Sequence, residues 1–561
     1  MKKTFTLITL LFSIVTLSAQ DRSNIYIIKF SDKGQSGYSI SNPGQFLSER
    51  SVERRLLQHI PLNETDLPVS SAYLQNLKKL GAEVIYTSKW LNVAIANVSN
   101  ESNVMAIKAL PYVRDINKSS VLDRKTNHQP FKRFFQQEKF HRIDLHKDEN
   151  NTKAVMSYNY GLSGNQAKML KVDQLHNQGY AGEGMTIAVI DAGFNSANTL
   201  DVFDSLYAKN RILGTKDFVQ PGNNVYNNTM SLHGTMVLST MGGNLPGAIV
   251  GTAPHASFYL LRSEDASAEY LMEEYYWVNA AEYADSIGAD LINSSLGYTV
   301  FDNPADSHTY ADMDGNTAVV TIAADMAAQK GILVVSSAGN DGNKPWHYIS
   351  APADGDSVLT IGAVDSLGLY ANFSSVGPTA DGRVKPDVAA QGSSVIVAVV
   401  PSGISWGSGT SFSSPILCGA AACLWQANPT YSNMEIYNAI KQSGSRASNP
   451  NDEIGWGIPD FVLANSLLVG NIDRINYSYE IKCYPNPFSD YVTAEFNLKS
   501  KSEAEIRLIN TQGTVLKSFK GIKLFQGKNS VKFEDLNLLP KGIYFIQILD
   551  AHGIITQKII K

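Results

Sequence analysis

The sequence predicts an α/β protein built on a doubly wound parallel sheet, with a small α+β domain before it and a small all-β sandwich after it. Three observations support this prediction. Over residues 158–466, short apolar runs alternate with helical stretches, which indicates a parallel sheet covered by helices on both faces. Residues 24–118 follow the order β-α-β-β-α-β, which is typical of a ferredoxin-like domain. Residues 484–561 form a series of short strands separated by turn residues.

The composition is that of a globular, multidomain protein. At roughly 150 residues per domain, the 561 residues allow several domains, and 43% of them are hydrophobic. The net charge of −5 and the dispersed cations exclude a basic footprint, so we expect no nucleic-acid partner. Three cysteines, Cys418, Cys423 and Cys483, are too few for a disulfide framework. They lack metal-ligand spacing, and we predict no metal site from them.

The first residues, "MKKTFTLITLLFSIVTLSAQ", predict a secretory signal peptide over residues 1–19. Two lysines precede an apolar run that ends in small residues at Ser18-Ala19. A retained membrane anchor is the alternative, but the apolar run is short for a membrane span. No later stretch is long and apolar enough to cross a bilayer, so we expect an exported chain without a transmembrane anchor.

Each part of the chain then follows from its local pattern. In residues 24–118, "NIYIIKF", "AEVIYTS", "WLNVAIANV" and "YVRDI" predict strands, and "FLSERSVERRLLQ", "SSAYLQNLKKLG" and "SNVMAIKALP" predict helices. Residues 119–157 are charged and lack periodicity, which predicts an exposed linker. In residues 158–466, "MTIAVID", "SFYLLRS", "DLINSSLG" and "ILVVSSAGN" predict strands of the parallel sheet. Functional residues in such sheets lie at the carboxyl ends of the strands.

Three residues with catalytic potential lie at such ends or at helix starts. Asp191 ends "TIAVID", His233 begins the helical stretch "HGTMVLSTM", and Ser411 lies in "GTSFSSP". Each alone has a structural explanation: a turn former, a hydrogen-bonding histidine and a helix N-cap. Together they match a catalytic triad, since serine needs a base and the base needs an orienting carboxylate. Asn340, at the end of "VVSSAGN", could donate its amide to an oxyanion.

These segments resemble the signatures of the subtilisin-like serine peptidases. The resemblance rests on "TIAVIDAGF", "HGTMVLSTM", "INSSLG", "SSAGNDG" and "GTSFSSP", in that order, and covers residues 158–466. It implies that Ser411 is the nucleophile, His233 the general base and acid, Asp191 the orienting carboxylate and Asn340 the oxyanion donor. It further implies roles in substrate binding for two segments: Ser295, Leu296 and Gly297, and Ser337, Ala338 and Gly339.

The same resemblance bears on cofactors and on the helix after the serine. The chemistry it implies requires no cofactor; structural calcium is frequent in the family, but no motif here assigns its ligands. Pro415 is expected in the first turn of the helix after Ser411, where no amide hydrogen bond is lost. Gly419 and the alanines after it are expected to let that helix pack close to the sheet.

The sequence departs from the family pattern at several positions. Ala192 stands where serine or threonine usually follows the aspartate, so Asp191 lacks that hydroxyl and is expected to be held differently. Ile416, Gln391, Phe412 and Ser413 also replace commoner residues: histidine, proline, methionine and alanine. None of these changes removes a triad member, so an active enzyme is expected.

The flanking domains resemble two accessory domains. Residues 24–118 resemble the inhibitory propeptide of these peptidases, which would place the cleavage region in the 119–157 linker; an unrelated binding domain is the alternative. Residues 484–561, with "YPNPF", "LPKGIYFIQI" and "KIIK", resemble the C-terminal sorting domain of type IX secretion. An adhesive or carbohydrate-binding sandwich is the alternative. The sorting domain implies a Gram-negative bacterium, an outer-membrane secretion machinery as partner, and passage through the periplasm to the cell surface or beyond.

The sequence therefore predicts a secreted serine endopeptidase, made as a self-inhibited precursor, that cleaves protein or peptide substrates. A catalytically silent surface binding protein on the same scaffold is the rival. The intact Asp191, His233 and Ser411 argue against it.

Overall fold

The structure is a computed structural model. It describes residues 24–34, 36–119, 141–143, 158–227, 231–400, 403–470, 481–498, 502–510, 515–550 and 553–561. The predicted signal peptide, and the predicted linker apart from residues 119 and 141–143, lie outside the described residues. The chain divides after Val462 into two compact units. Within the described ranges, every helix is too short or too polar to cross a membrane.

The N-terminal domain is a four-stranded antiparallel sheet with three helices. Its elements are β1 (Ile25–Phe30), α1 (Glu49–Leu57), α2 (Ser71–Lys79), β2 (Glu83–Ser88), β3 (Val93–Asn97), α3 (Glu101–Lys108) and β4 (Val113–Lys118). The strand order β2-β3-β1-β4 places the two outer strands beside the central β3–β1 pair, which confirms the ferredoxin-like prediction. Ile28, Leu77 and Ile107 are fully buried in its core.

The second part of the first unit contains the parallel sheet that the apolar runs predict. This part of the unit has the strands β5 (His141–Ile143), β6 (Thr186–Asp191), β7 (Ile212–Asp217), β8 (Asn244–Leu245), β9 (Ile249–Val250), β10 (Ser257–Arg262), β11 (Leu291–Ser294), β12 (Leu333–Ser337), β13 (Leu359–Val364), β14 (Val388–Gln391), β15 (Val395–Ala398) and β16 (Ile404–Gly407). Seven of them form the main sheet in the order β14-β13-β12-β11-β6-β10-β7, and its pairs are parallel. The doubly wound α/β prediction is confirmed.

Helices connect these strands. They are α4 (Gly164–Lys168), α5 (Val172–Asn177), α6 (Asp204–Ala208), α7 (His233–Gly242), α8 (Met272–Ile287), α9 (Val319–Gln329), α10 (Thr410–Ala427), α11 (Asn433–Gln442) and α12 (Phe461–Gly470). Helix α10 packs against α7 and against strands β11 to β14, whereas α8 packs against α9 and β6. Because β6, β11 and β12 run parallel, their carboxyl ends share one edge of the sheet, which brings the candidate residues to that edge.

The second unit contains the C-terminal all-β domain. Its strands are β17 (Lys482–Tyr484), β18 (Val492–Leu498), β19 (Ser502–Asn510), β20 (Val515–Leu524), β21 (Gly527–Phe533), β22 (Ile543–Asp550) and β23 (Gly553–Ile560). They form two antiparallel sheets, β17-β18-β21 and β20-β19-β22-β23. Val492, Ile506 and Ile546 are fully buried in the core of this domain, as an alternating inward face requires. The all-β prediction is confirmed.

Candidate active site

Asp191 and His233 meet at the carboxyl edge of the main sheet. Asp191 is the last residue of β6 and is fully buried, and His233 begins α7 and is 2% exposed. The Nδ1 atom of His233 lies 2.8 Å from Oδ1 of Asp191. Because a carboxylate oxygen accepts, we assign the proton to Nδ1, which leaves Nε2 as the basic atom of a neutral imidazole.

Ala192 does not leave the carboxylate of Asp191 unsupported. Its backbone N–H donates to Oδ1 of Asp191 at 2.7 Å, whereas Oδ2 has no hydrogen-bond partner among the described residues. The carbonyl of Ala192 in turn accepts from Nε of Arg262 at 3.2 Å. Arg262 is itself paired with Asp217 at 2.9 Å. The prediction that Asp191 is held differently stays a prediction, because a residue of any type at position 192 would supply this backbone N–H.

Ser411 is the second residue of α10, after Thr410, with Gly409 at the N-cap. Its side chain is fully buried, and its Oγ has no hydrogen-bond partner among the described residues. The ring of His233 lies 6.2 Å from the ring of Phe412, centroid to centroid, which places the imidazole beside the start of α10. The serine–histidine hydrogen bond is not made in this structure; such bonds often form only when substrate is bound.

Pro415 lies deeper in α10 than the sequence analysis expects. It is inside the helix rather than in the first turn, so the carbonyl of Ser411, four residues earlier, loses its intrahelical donor. Oγ of Ser295 donates to this carbonyl at 2.9 Å and replaces the missing bond. The prediction that no amide hydrogen bond is lost was wrong, and the loss instead ties Ser411 to the residue that follows β11. The close packing expected at Gly419 is present, since a Cβ there would lie 2.2 Å from Oγ1 of Thr252.

Asn340 is held at the start of α10 by its carbonyl oxygen. Oδ1 accepts from the backbone N–H of Thr410 at 2.8 Å and from its Oγ1 at 3.0 Å. Because a backbone N–H can only donate, this contact fixes which amide atom is oxygen. The amide nitrogen Nδ2 therefore points away from Thr410. It lies near Gly409, since a Cβ added to that glycine would be 3.5 Å from it. Thr410 is a positioning residue that the sequence analysis missed, although its place before the serine in "GTS" was visible.

The two candidate substrate segments lie directly after neighbouring strands. Ser295, Leu296 and Gly297 follow β11; Ser337 ends β12, and Ala338 and Gly339 follow it. Gly339 has a φ of +109°, and a Cβ at this position would lie 2.8 Å from Oγ of Ser375. Both facts require glycine. The hydroxyls of Ser337 and Ser350 are buried near this segment and have no hydrogen-bond partner within the part of the chain that the structure describes.

The other unusual residues are accommodated in the core. Ile416 and Phe412 are fully buried, and Oγ of Ser413 donates to the carbonyl of Thr410 at 3.1 Å. Gln391 accepts at 2.8 Å from Nδ2 of Asn165. The free thiols of Cys418 and Cys423 are buried, and Sγ of Cys423 donates to the carbonyl of Thr252 at 3.1 Å.

Among the described residues, one group of carboxylates has the spacing to hold a metal ion. Glu264, Glu269 and Glu273 each offer an oxygen, and these oxygens lie within 4.8 Å of one another. Oε1 of Glu264 accepts from the hydroxyl of Tyr298 at 2.6 Å, and Oε1 of Glu273 accepts from the backbone N–H of Asp265 at 2.8 Å. Protein donors thus already satisfy part of this group.

A buried charge cluster joins the N-terminal domain to α8. Asp285 accepts from Arg54 at 2.6 Å, from Arg55 at 2.7 and 2.9 Å, and from Lys89 at 3.0 Å. Its side chain is fully buried. Burial alone would raise the pKa of Asp285, but Lys89, Arg54 and Arg55 outweigh it and lower the pKa. All three cations belong to the N-terminal domain, so this charge network forms only when that domain is in place.

Glu282, one turn earlier on α8, binds the end of β2 and the loop that follows it. Its carboxylate accepts from Oγ of Ser88 and from the backbone N–H groups of Lys89 and Trp90, the latter two at 3.0 Å. Burial raises the pKa of Glu282. Two carboxylates on one face of α8 therefore hold the N-terminal domain on the central domain.

Family models match three parts of the chain. The model described as the subtilase family matches residues 182–457. The model for the peptidase S8 propeptide domain of Bacteroidota matches residues 25–133. The model for the secretion system C-terminal sorting domain matches residues 482–561.

Curated relatives and solved structures also match. Subtilisin NAT from Bacillus subtilis subsp. natto is 33% identical over 300 residues, which is 53% of this chain and 68% of that protein. The subtilisin of Bacillus pumilus is 32% identical over 296 residues, 52% of this chain and 93% of that protein. The crystal structure of MycP1 from Mycobacterium smegmatis is 21% identical, covers 56% of this chain and 89% of its own, and has a TM-score of 0.41.

Proposed function

Because this chain belongs to the subtilase family and is a subtilisin-like serine endopeptidase, we propose that it cleaves peptide bonds through Ser411, His233 and Asp191 by way of an acyl-enzyme. The observation that supports this most directly is the 2.8 Å contact between His233 Nδ1 and Asp191 Oδ1 beside the start of α10. That contact leaves Nε2 available as a base on the side of the imidazole remote from Asp191.

In the first half of the reaction, Oγ of Ser411 attacks the carbonyl carbon and Nε2 of His233 takes its proton. The buried Asp191 carboxylate stabilises the imidazolium through Nδ1. Nδ2 of Asn340 and the backbone N–H of Ser411 hold the oxyanion, since N–H groups in the first turn of a helix lack intrahelical acceptors. The C–N bond then breaks, and His233 gives its proton to the leaving amine.

In the second half, water attacks the acyl ester of Ser411. His233 again takes a proton, from the water, and returns it to Oγ of the serine as the ester breaks. Apart from the substrate and the attacking water, every group in this scheme belongs to the protein, so we propose that the chemistry requires no cofactor. The substrate lies in extended form along Ser295, Leu296 and Gly297. The side chain before the scissile bond lies against Ser337, Ala338 and Gly339.

The protein is directed to the cell surface or the outside by the type IX pathway, since its C-terminal residues 482–561 match a sorting domain. We propose that residues 1–19 are removed as a signal peptide and that cleavage within residues 119–157 separates the N-terminal domain. Until then the contacts of Asp285 and Glu282 keep this domain on α8 as an inhibitor. We further propose the domain boundaries that the sequence predicts: 24–118 for the N-terminal domain, 119–157 for the linker, 158–466 for the peptidase domain and 484–561 for the sorting domain.

A fluorophosphonate probe tests the catalytic assignment. Such a probe reacts with an activated serine, and mass spectrometry of the digested protein identifies the modified residue. We expect the adduct on Ser411, none in the variant Ser411→Ala, and undiminished labelling in the matched control Ser413→Ala. An unlabelled mature protein would favour the rival, a catalytically silent binding protein.

A further inference from the structure

Strand β16 runs directly to the proposed nucleophile. Only Ser408 and Gly409 separate its last residue from α10. Trp406 precedes Ser411 by five residues, so their Cα atoms lie at most about 17 Å apart in a fully extended chain. The carboxyl end of β16 is therefore the end nearest the serine.

One edge of β16 belongs to a hairpin and the other faces outward. Val395 pairs with Gly407, and the hairpin bond from Val399 N–H to Gly403 C=O keeps the same register. Hydrogen-bonded and non-hydrogen-bonded pairs alternate in an antiparallel ladder. Ile404 and Trp406 therefore direct their backbone N–H and C=O groups away from β15.

The chain's own segment β5 occupies this outer edge. His141 pairs with Trp406 and Ile143 pairs with Ile404, in antiparallel orientation. Since β16 runs towards Ser411, β5 runs away from it, and His141 is its residue nearest the serine. A peptide in the position of β5 thus lies on the carboxyl side of any bond held at Ser411, which is the side that leaves as the amine.

We infer that the outer edge of β16 binds the leaving-group side of peptide substrates as an added β-strand. This inference rests on the proposed function. In the precursor β5 takes the place of such a substrate, and its register with Trp406 shows how an extended peptide fits. Main-chain hydrogen bonds supply the affinity in this mode of binding. The side chain of Trp406, 44% exposed, is available for a cross-strand contact.

The distance between β16 and Ser411 determines how many residues after the scissile bond a substrate needs in order to pair with β16. At about 3.3 Å per residue, the substrate residue opposite Trp406 is roughly the fifth after the scissile bond. A substrate with two residues after the bond should end before Trp406, whereas one with nine residues should span the strand.

The test compares two such peptides that share the same sequence before the bond. A foreign protease site inserted between residues 143 and 158 of the full chain allows β5 to be removed, and amino-terminal sequencing verifies its removal. We expect kcat/KM to be about tenfold higher for the long peptide, a gain that about 1.4 kcal/mol of added binding produces. Single N-methyl groups placed along its carboxyl half should reduce the gain at alternate residues, since alternate N–H groups face β16.

A variant of the enzyme gives an independent measurement. Trp406→Pro removes an outward N–H without removing a bond to β15, so the ratio of long-peptide to short-peptide kcat/KM should fall towards one. Trp406→Ala keeps that N–H and should keep most of the ratio. The ratio cancels any loss of correctly folded enzyme.

Equal kcat/KM values for the two peptides, or a ratio that Trp406→Pro leaves unchanged, would refute the binding of substrate as an added strand on β16. Neither result would contradict the proposed catalytic function. Failure of the wild-type enzyme to cleave either peptide would instead contradict the proposed catalytic function.

Discussion

Replacing Asp285 by asparagine should release the N-terminal domain from the peptidase. The asparagine side chain would keep the shape of the aspartate but lose the charge that Arg54, Arg55 and Lys89 share at 2.6–3.0 Å. Its amide would also place a donor among three donors. Because the cluster is buried, water cannot replace the lost carboxylate while the domain is bound.

The magnitude follows from this burial. Breaking a buried ion pair by removing one partner costs about 3–5 kcal/mol; here Arg54 and Lys89 would lose the carboxylate of Asp285, whereas Arg55 would keep its ion pair with Asp66. At about 1.4 kcal/mol per factor of ten, the inhibition constant of the N-terminal domain should rise roughly 100- to 4,000-fold. The three cations leave with the domain, so the substitution should spare the mature enzyme itself.

The assay measures inhibition of mature enzyme by a fragment of residues 20–118 added in trans, with a short fluorogenic peptide as substrate. The same fragment is used against each enzyme, so the free energy of folding the fragment cancels. Asp201→Asn, at an exposed position, is the matched control and should leave the inhibition constant unchanged. The loss should persist in 1 M salt, since buried charges are weakly screened. A change below about threefold would refute the reasoning from burial.

Three further outcomes are expected. Ser411→Ala should abolish proteolysis and leave an uncleaved precursor on a denaturing gel; processing by this variant would contradict the assignment. Asn340→Ala should lower kcat about 100-fold with little change in KM, since its donor acts on the transition state; a near-normal kcat would remove it from the site. Burial raises the pKa of Asp325 to about 7, above an unfolded value of about 3.9, so stability should fall as the pH rises from 4 through 7. Asp325→Asn should therefore raise the melting temperature at pH 8 but not at pH 4, measured by calorimetry in inactive Ser411→Ala protein; equal melting temperatures at pH 8 would exclude this effect.

Local pattern was sufficient for four of the seven strands of the main sheet and for the place of Asp191 and His233 at the ends of their elements. The run "TIAVID" is apolar up to Asp191, so both the strand and the position of the carboxylate at its end could be predicted. Helix α7 likewise begins at His233, as the run of small and apolar residues after it indicates. These features depend on residues adjacent in the chain, and the three-dimensional fold did not alter them.

Features that depend on distant partners could not be predicted in this way. Arg54 and Arg55 are charged residues of a short amphipathic helix, and the sequence gives no sign that their partner Asp285 lies 230 residues later. Residues 119–157 lack periodicity, yet His141–Ile143 pairs with β16 through main-chain contacts that side-chain patterns do not encode. Pro415 was misplaced because α10 begins as early as Thr410; the donor that replaces the lost hydrogen bond, Ser295, lies 116 residues from Ser411 and could not be predicted locally.

The replaced bond joins the proposed substrate-binding segment to the proposed nucleophile. A continuous helix would satisfy the carbonyl of Ser411 from within α10, and the helix start would then be independent of β11. Pro415 removes that internal donor, and Ser295 supplies the bond from the segment on which the substrate is proposed to lie. Asn340, after β12, is joined to the same helix start through Thr410. A displacement at the end of β11 would therefore be transmitted to the backbone of Ser411 by a direct hydrogen bond, and one at the end of β12 would be transmitted through Thr410, so the segments proposed to bind the substrate also position the backbone that carries the attacking hydroxyl.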